Sequence, residues 1–106
     1  MFTSIPEQMM ATLIVSYPAH EGATFDADYY KTMHVPLAEQ AWAPHGLTSA
    51  EVLFPAGDQP WKAAVLLRFA SQAAIDAALA SRETPAVLAD VARFTDIAPV
   101  IYRAGD

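Results

Sequence analysis

Residues 46–69 read GLTSAEVLFPAGDQPWKAAVLLRF, two runs rich in β-branched, aromatic and leucine side chains on either side of AGDQP. Glycine, aspartate and proline between two such runs are turn chemistry, so the stretch predicts a β-hairpin with a five- or six-residue connection. Alternation along the second strand sends Trp61, Ala63, Val65, Leu67 and Phe69 to one side and Lys62, Ala64, Leu66 and Arg68 to the other. The first strand divides into Leu47, Ser49, Glu51 and Leu53 against Thr48, Ala50, Val52 and Phe54. Arg68 is placed to pair with Glu51 across the hairpin. No side of either strand is uniformly polar. Leaving the apolar side chains of several strands in water would make a patch larger than monomers usually carry, so the second face is predicted to pack against another copy of the chain. Scattered surface apolar residues are the plainer alternative.

Working outward, Ser71 is a cap for a helix running to about Arg82, with Ile75, Ala78 and Leu79 as its inward stripe. Thr84 followed by Pro85 reads as a cap with proline in the first helical position. It opens a helix that turns Val87, Leu88, Val91 and Ala92 inward, and residues 97–103 supply a last strand. Upstream, ATLIVSY at residues 11–17, closed by Pro18, is a first strand. Asp26 is an N-cap, with Phe25 and Tyr30 spaced as a hydrophobic staple, for a helix reaching toward Trp42. Pro36 lacks the N–H that would bond the Thr32 carbonyl, which predicts a kink or short break near Val35. The order is β-α-β-β-α-β with the second α split in two. That is a ferredoxin-like α+β fold, a four-stranded antiparallel sheet with helices on one face. Residues 1–10, MFTSIPEQMM, are expected to be a short extension before a domain at 11–106, and they carry neither the basic start nor the sustained apolar core of a signal peptide.

A chain of 106 residues is one domain in size, and 54% hydrophobic against 17% charged residues is too apolar for disorder. No run approaches the roughly 20 apolar residues that a bilayer helix needs, so no membrane role is expected. Six basic against twelve acidic side chains give a net charge of −6, and Lys31, Lys62, Arg68, Arg82, Arg93 and Arg103 are scattered. Such a surface repels phosphate backbones, so nucleic acid is not an expected partner. Cysteine is absent, which removes thiolate nucleophiles, disulfides and Cys-type zinc sites and fits the cytoplasm. His20, His34 and His45 are too widely spaced to define a metal site, and no glycine-rich phosphate loop, nucleophile elbow or H-E-x-x-H pair occurs. No metal and no cofactor are expected.

A uniform 100° per residue puts Tyr29, Tyr30, Met33, Leu37, Gln40 and Ala41 on one side of the first helix and Asp28, Lys31, Val35 and Glu39 opposite. His34 falls at the margin of the apolar stripe, one turn after Tyr30. Its imidazole is expected along the seam between helix and sheet, where a histidine suits acid/base work. The alternative is a structural histidine bonded to a carbonyl freed by Pro36. Tyr29 and Tyr30 point in directions about 100° apart and do not share a cavity. Trp61 lines a pocket or closes the sheet edge. Thr95 and Asp96, before the last strand, offer polar groups to a ligand or serve as turn chemistry.

The stretch FDADYYKTMHVPLA at residues 25–38 resembles the signature of the EthD-like family, within the dimeric α+β barrel superfamily. Tyr17-Pro18, G-A-x-F-D at residues 22–26 and F-T-D-I-x-P-V-I at residues 94–101 match in register, so the resemblance spans nearly the whole chain. It implies a ferredoxin-like monomer whose sheet packs face to face with its twin. It also singles out Tyr30 and His34 within Y-Y-x-x-x-H-x-P, and the pair Thr95 and Asp96. The family is named for a protein linked to bacterial degradation of ethyl tert-butyl ether, and its relatives resemble cofactor-free lactone isomerases and decarboxylases or oxygenases of aromatic polyketides. The expectation is a cofactor-independent isomerase, lyase or oxygenase acting on a small apolar molecule. His34 and Tyr30 would be catalytic, with Tyr29, Met33, Trp61, Thr95 and Asp96 against the substrate. The alternative is a non-catalytic binding or accessory protein for a hydrophobic metabolite.

Overall fold

Four strands form one antiparallel sheet in a computed structural model that describes residues 10–105: β1 (Ala11–Pro18), β2 (Leu47–Leu53), β3 (Trp61–Phe69) and β4 (Val100–Gly105). Their spatial order, β2-β3-β1-β4, is that of a ferredoxin-like sheet. Apart from Met10, the expected N-terminal extension lies outside the described residues. The helices α1 (Ala27–Tyr29), α2 (Val35–Trp42), α3 (Gln72–Leu79) and α4 (Thr84–Asp90) cover one face, burying Leu13, Ala63, Val65, Leu67 and Phe69 beneath them.

The local signals act largely as read. Asp26 accepts from the Tyr29 N–H at 3.0 Å, and Phe25 meets Tyr30 with ring centroids 5.2 Å apart, completing cap and staple. Ser71 caps α3 by accepting from Ala74 at 3.0 Å. Gly46 turns the chain into β2 at φ +102, and an added Cβ would stand 2.8 Å from the Ala74 methyl.

Several boundaries differ from expectation. The hairpin connection is residues 54–60, because pairing ends at Leu53–Ala64 and Phe54 leaves the strand. α3 ends at Leu79, where the Ser81 hydroxyl takes the Ala78 carbonyl at 2.7 Å and closes the turn. Thr84 is not a cap. It is the first residue of α4, Glu83 precedes it in the cap position, and its buried hydroxyl receives Trp42 Nε1 at 2.9 Å and donates to Ala78 O at 2.6 Å. Val87 is buried as expected, whereas Leu88 and Ala92 are exposed. β4 starts at Val100 because Pro99 has no N–H for the ladder and the Ile97 N–H is taken by Thr95 Oγ1 at 3.0 Å.

The largest departure is at Pro36. The helix does not break there, since a π-helical turn at Tyr30–His34 joins α1 to α2, with the Val35 N–H reaching the Tyr30 carbonyl. A π turn inserts one residue into the spiral and so delays everything downstream by about one position. The buried set is therefore Tyr30, His34, Val35, Ala38, Ala41 and Trp42. Val35, predicted outward, faces the core, while Met33, predicted inward, is 56% exposed.

On the uncovered face, Glu51, Leu66, Ile14 and Tyr102 line up across the four strands, and Leu53, Ala64, Ser16 and Val100 form the neighbouring row. Arg68 and Glu51 pair at 3.1 Å near the β2 edge. The middle and the β4 side are mostly apolar, with Tyr102 55% exposed.

Candidate active site between helix and sheet

The π turn brings Tyr30 and His34 to its inner side, stacked with ring centroids 5.8 Å apart and planes 19° from parallel. π turns inside α-helices occur often at functional sites. The Phe94 ring lies 4.6 Å from the imidazole, and Phe94 is joined by Tyr17, Phe25 and Tyr30 in mutual ring contacts of 5.1–5.6 Å. Edge-to-face packing of this kind fixes ring orientations and excludes water from the back of the site.

His34 is 6% exposed, and its Nδ1 lies 2.9 Å from Oδ2 of Asp90, at the end of α4. The Tyr29 hydroxyl donates to the other carboxylate oxygen at 2.8 Å, and Arg93 Nε stands 3.6 Å from it. Burial pulls the Asp90 carboxyl upward, but the hydrogen bonds from His34 and Tyr29, with the charges of His34 and Arg93, outweigh it and hold the group below the usual carboxylate range. The same bond to Asp90 pushes the Tyr29 phenol up. An ionised carboxylate only accepts, so it fixes the Nδ1–H form of a neutral imidazole and leaves the Nε2 lone pair free. Among the described residues, Nε2 has no hydrogen-bond partner.

Beside this pair is a cavity of about 50 Å³ between α2, α4 and the sheet, bordered by Tyr30, His34, Val35, Trp42, Val87 and Leu88 together with β1, β3 and β4 side chains. Tyr17, Tyr30, His34 and Trp42 are the lining residues whose side chains carry polar atoms, and Trp42 Nε1 is already committed to Thr84. Tyr30 is 0% exposed, and its hydroxyl is the one buried side-chain polar atom among the described residues with no hydrogen-bond partner. Burial, with a smaller effect from Tyr17, pushes the Tyr30 phenol far above its ordinary range, so it stays protonated and can only gain from an acceptor. A buried unpaired hydroxyl costs roughly 1–3 kcal/mol, a penalty that an arriving oxygen atom would remove. The site thus combines a positioned base with a hydroxyl that has no partner among the described residues.

The structure brings Tyr30 and His34 to the cavity wall, joins Tyr29 to His34 only through Asp90, and leaves Tyr29 and the other expected residues outside the cavity lining. Met33 faces outward. Trp61 is half-buried at the start of β3, opposite Pro18. Thr95 donates to the Thr24 carbonyl at 2.6 Å and accepts from Ile97, while Asp96 accepts from the Thr24 N–H at 3.0 Å. These two hold the loop after β1 against the approach to β4. His20, His34 and His45 are not gathered; each has its own acidic neighbour, Asp96, Asp90 and Glu83 respectively. The important residue missed in the sequence is Asp90. Its signal was an acidic side chain between Val87 and Val91 on a stripe otherwise read as apolar.

Among solved structures, the chain is similar to an EthD-like protein from Ralstonia eutropha JMP134, with 29% identity over 92% of this chain and 91% of that one and a TM-score of 0.80. It is also similar to an EthD family protein from Bacillus halodurans C-125, with 20% identity over 92% of this chain and 99% of that one and a TM-score of 0.72. SnoaB, described as a cofactor-independent oxygenase from Streptomyces nogalater, aligns over 91% of this chain and 93% of its own at 12% identity and a TM-score of 0.65. The last two likenesses bear on the fold alone. No family model matches the chain, and no curated protein does.

Proposed function

We propose, from the premise that this chain is an EthD-like protein, that it is a cofactor-independent enzyme acting on a small, largely apolar organic molecule. The observation that carries the reading is the Asp90–His34 hydrogen bond of 2.9 Å at the wall of an otherwise apolar cavity. Asp90 holds the imidazole so that Nε2 faces away from it as a base, and Tyr30 supplies a hydrogen-bond donor. Together they suit removal of a proton from a carbon next to a carbonyl. Nε2 takes the proton, the electron pair moves into the carbonyl, and the Tyr30 hydroxyl donates to the enolate oxygen. An enolate so formed is a common starting point for isomerase, lyase and oxygenase chemistry. The reading invokes no cofactor, since the sequence offers no glycine-rich phosphate loop and no cysteine ligand.

The test is proton–deuterium exchange at the α-carbon of simple ketones in D2O, followed by NMR. A positioned base contributes roughly 10²–10⁴-fold, so the protein should exchange above buffer, and His34→Ala, folded by circular dichroism, should fall to the buffer rate. Unchanged exchange in His34→Ala refutes the role given to this residue.

One observation favours a second reading, that of a non-catalytic carrier or accessory protein: the cavity lining is almost wholly apolar, which serves binding as well as turnover. Ligand binding that survives His34→Ala, with no exchange in either protein, would select it. We also propose that the uncovered sheet face, through Ile14, Leu66, Val100 and Tyr102, packs against the same face of a second copy, and that the protein works in the cytoplasm, as its lack of cysteine suits.

A further inference from the structure

The inner cavity and the outer surface beside it differ tenfold in size, and they share a wall. About 50 Å³ accommodates roughly four water-sized groups, enough for a carbonyl and its immediate carbons but not for a whole metabolite. Leu88, Val91 and Pro99 border this cavity and also an open groove of about 510 Å³ that runs between α4 and the approach to β4. The groove continues over Ala92, Ile97 and Ala98 and reaches Thr95 and Asp96. Leu88, which borders both spaces, is a large apolar side chain left 52% exposed.

Resting on the site reading above, we infer that the ligand is a neutral carbonyl compound with a slender apolar chain, its carbonyl head in the inner cavity on the Tyr30 hydroxyl and its chain lying out over Leu88 in the groove. Three observations select this class. The fully buried Tyr30 hydroxyl has no partner among the described residues, and an acceptor oxygen would supply one. A carboxylate head is disfavoured, because none of the described residues that line the cavity is a lysine or arginine and the Asp90 carboxylate stands behind His34. The groove floor offers apolar side chains to a chain and polar groups only at its far end.

Isothermal titration calorimetry with 2-butanone, 2-nonanone and nonanoate tests this. A methylene half-covered in an open groove should tighten binding about twofold, so the five added methylenes should favour 2-nonanone over 2-butanone by roughly thirtyfold. Nonanoate should bind at least tenfold more weakly than 2-nonanone. Tyr30→Phe should weaken both ketones about tenfold and keep the chain-length ratio. Leu88→Asp, at an exposed position that should leave folding intact, should flatten that ratio. Equal affinity for the two ketones, no effect of Tyr30→Phe, nonanoate binding as well as 2-nonanone, or no binding at all overturns the inference. If the binding pattern holds while α-proton exchange never exceeds buffer, the catalytic reading falls and the ligand class stands. Exchange without the pattern gives the reverse.

Discussion

Replacing Asp90 by asparagine keeps the shape of the side chain and removes the charge that receives Tyr29 at 2.8 Å and His34 at 2.9 Å. Hydrogen bonds to charged groups contribute roughly 1.5–3 kcal/mol and those between neutral groups roughly 0.5–1.5 kcal/mol. The substitution therefore costs about 1 kcal/mol per bond and about 2 kcal/mol for the two. At roughly 4 °C per kcal/mol for a chain of this size, Tm should fall by about 8 °C at neutral pH. The effect depends on pH with a definite sign. Burial raises the Asp90 carboxyl, the bonds from His34 and Tyr29 lower it further, and the net folded value lies below the unfolded one. A carboxyl lowered on folding stabilises fully above its unfolded value of about 3.9, and that stabilisation is lost as pH falls through the folded value. Urea unfolding of wild type and Asp90→Asn at one protein concentration should show the gap at pH 7 and its narrowing below about pH 4. Equal stability at pH 7, or a gap that persists undiminished at pH 3, refutes the account of this pair. The same amide can turn its NH2 toward Nδ1 and move the imidazole proton to Nε2, so α-proton exchange should drop by about 10²–10⁴-fold.

Tyr30→Phe should leave folding stability unchanged or raise it by about 1 kcal/mol in thermal unfolding, because it deletes an unpaired buried hydroxyl; a clear loss of stability would mean that the hydroxyl has a partner. Gly46→Ala should cost about 2 kcal/mol in urea unfolding, since the new Cβ meets left-handed backbone strain at φ +102 and the Ala74 methyl at 2.8 Å. Leu66→Lys, in the central row of the uncovered sheet face, should shift the protein to monomer in sedimentation at micromolar concentration while leaving its circular dichroism unchanged. A persistent dimer would place the interface elsewhere.

The strands, caps and staple were legible because each rests on signals within a few residues. Pro18 closes β1, Asp26 and Ser71 take orphan N–H groups, and Phe25 finds Tyr30. Which side of α2 faces inward was not legible, because periodicity assumes a constant turn and the inserted residue shows only in hydrogen bonding, where Val35 reaches Tyr30. His34 stood at the margin of the predicted stripe, and the shift carried it fully inside. Asp90 could not be matched to His34 because the two are separated by 56 positions, and only the docking of α4 beside the π turn brings them together. Thr84 shows the same limit. A threonine before proline looks like a cap until Trp42, from another helix, claims its oxygen.

The extra residue in the π turn also gives this stretch of the chain a tolerance that a regular helix lacks. Substituting Met33, which stands 56% in solvent, changes little beyond its own side chain. Deleting it would take out the inserted residue, return the spiral to regular winding and leave Val35, Ala38, Ala41 and Trp42 on the inner side. Loss of a single codon in frame is therefore absorbed at this position, whereas the same loss inside α2 would turn every later residue of that helix by about 100°.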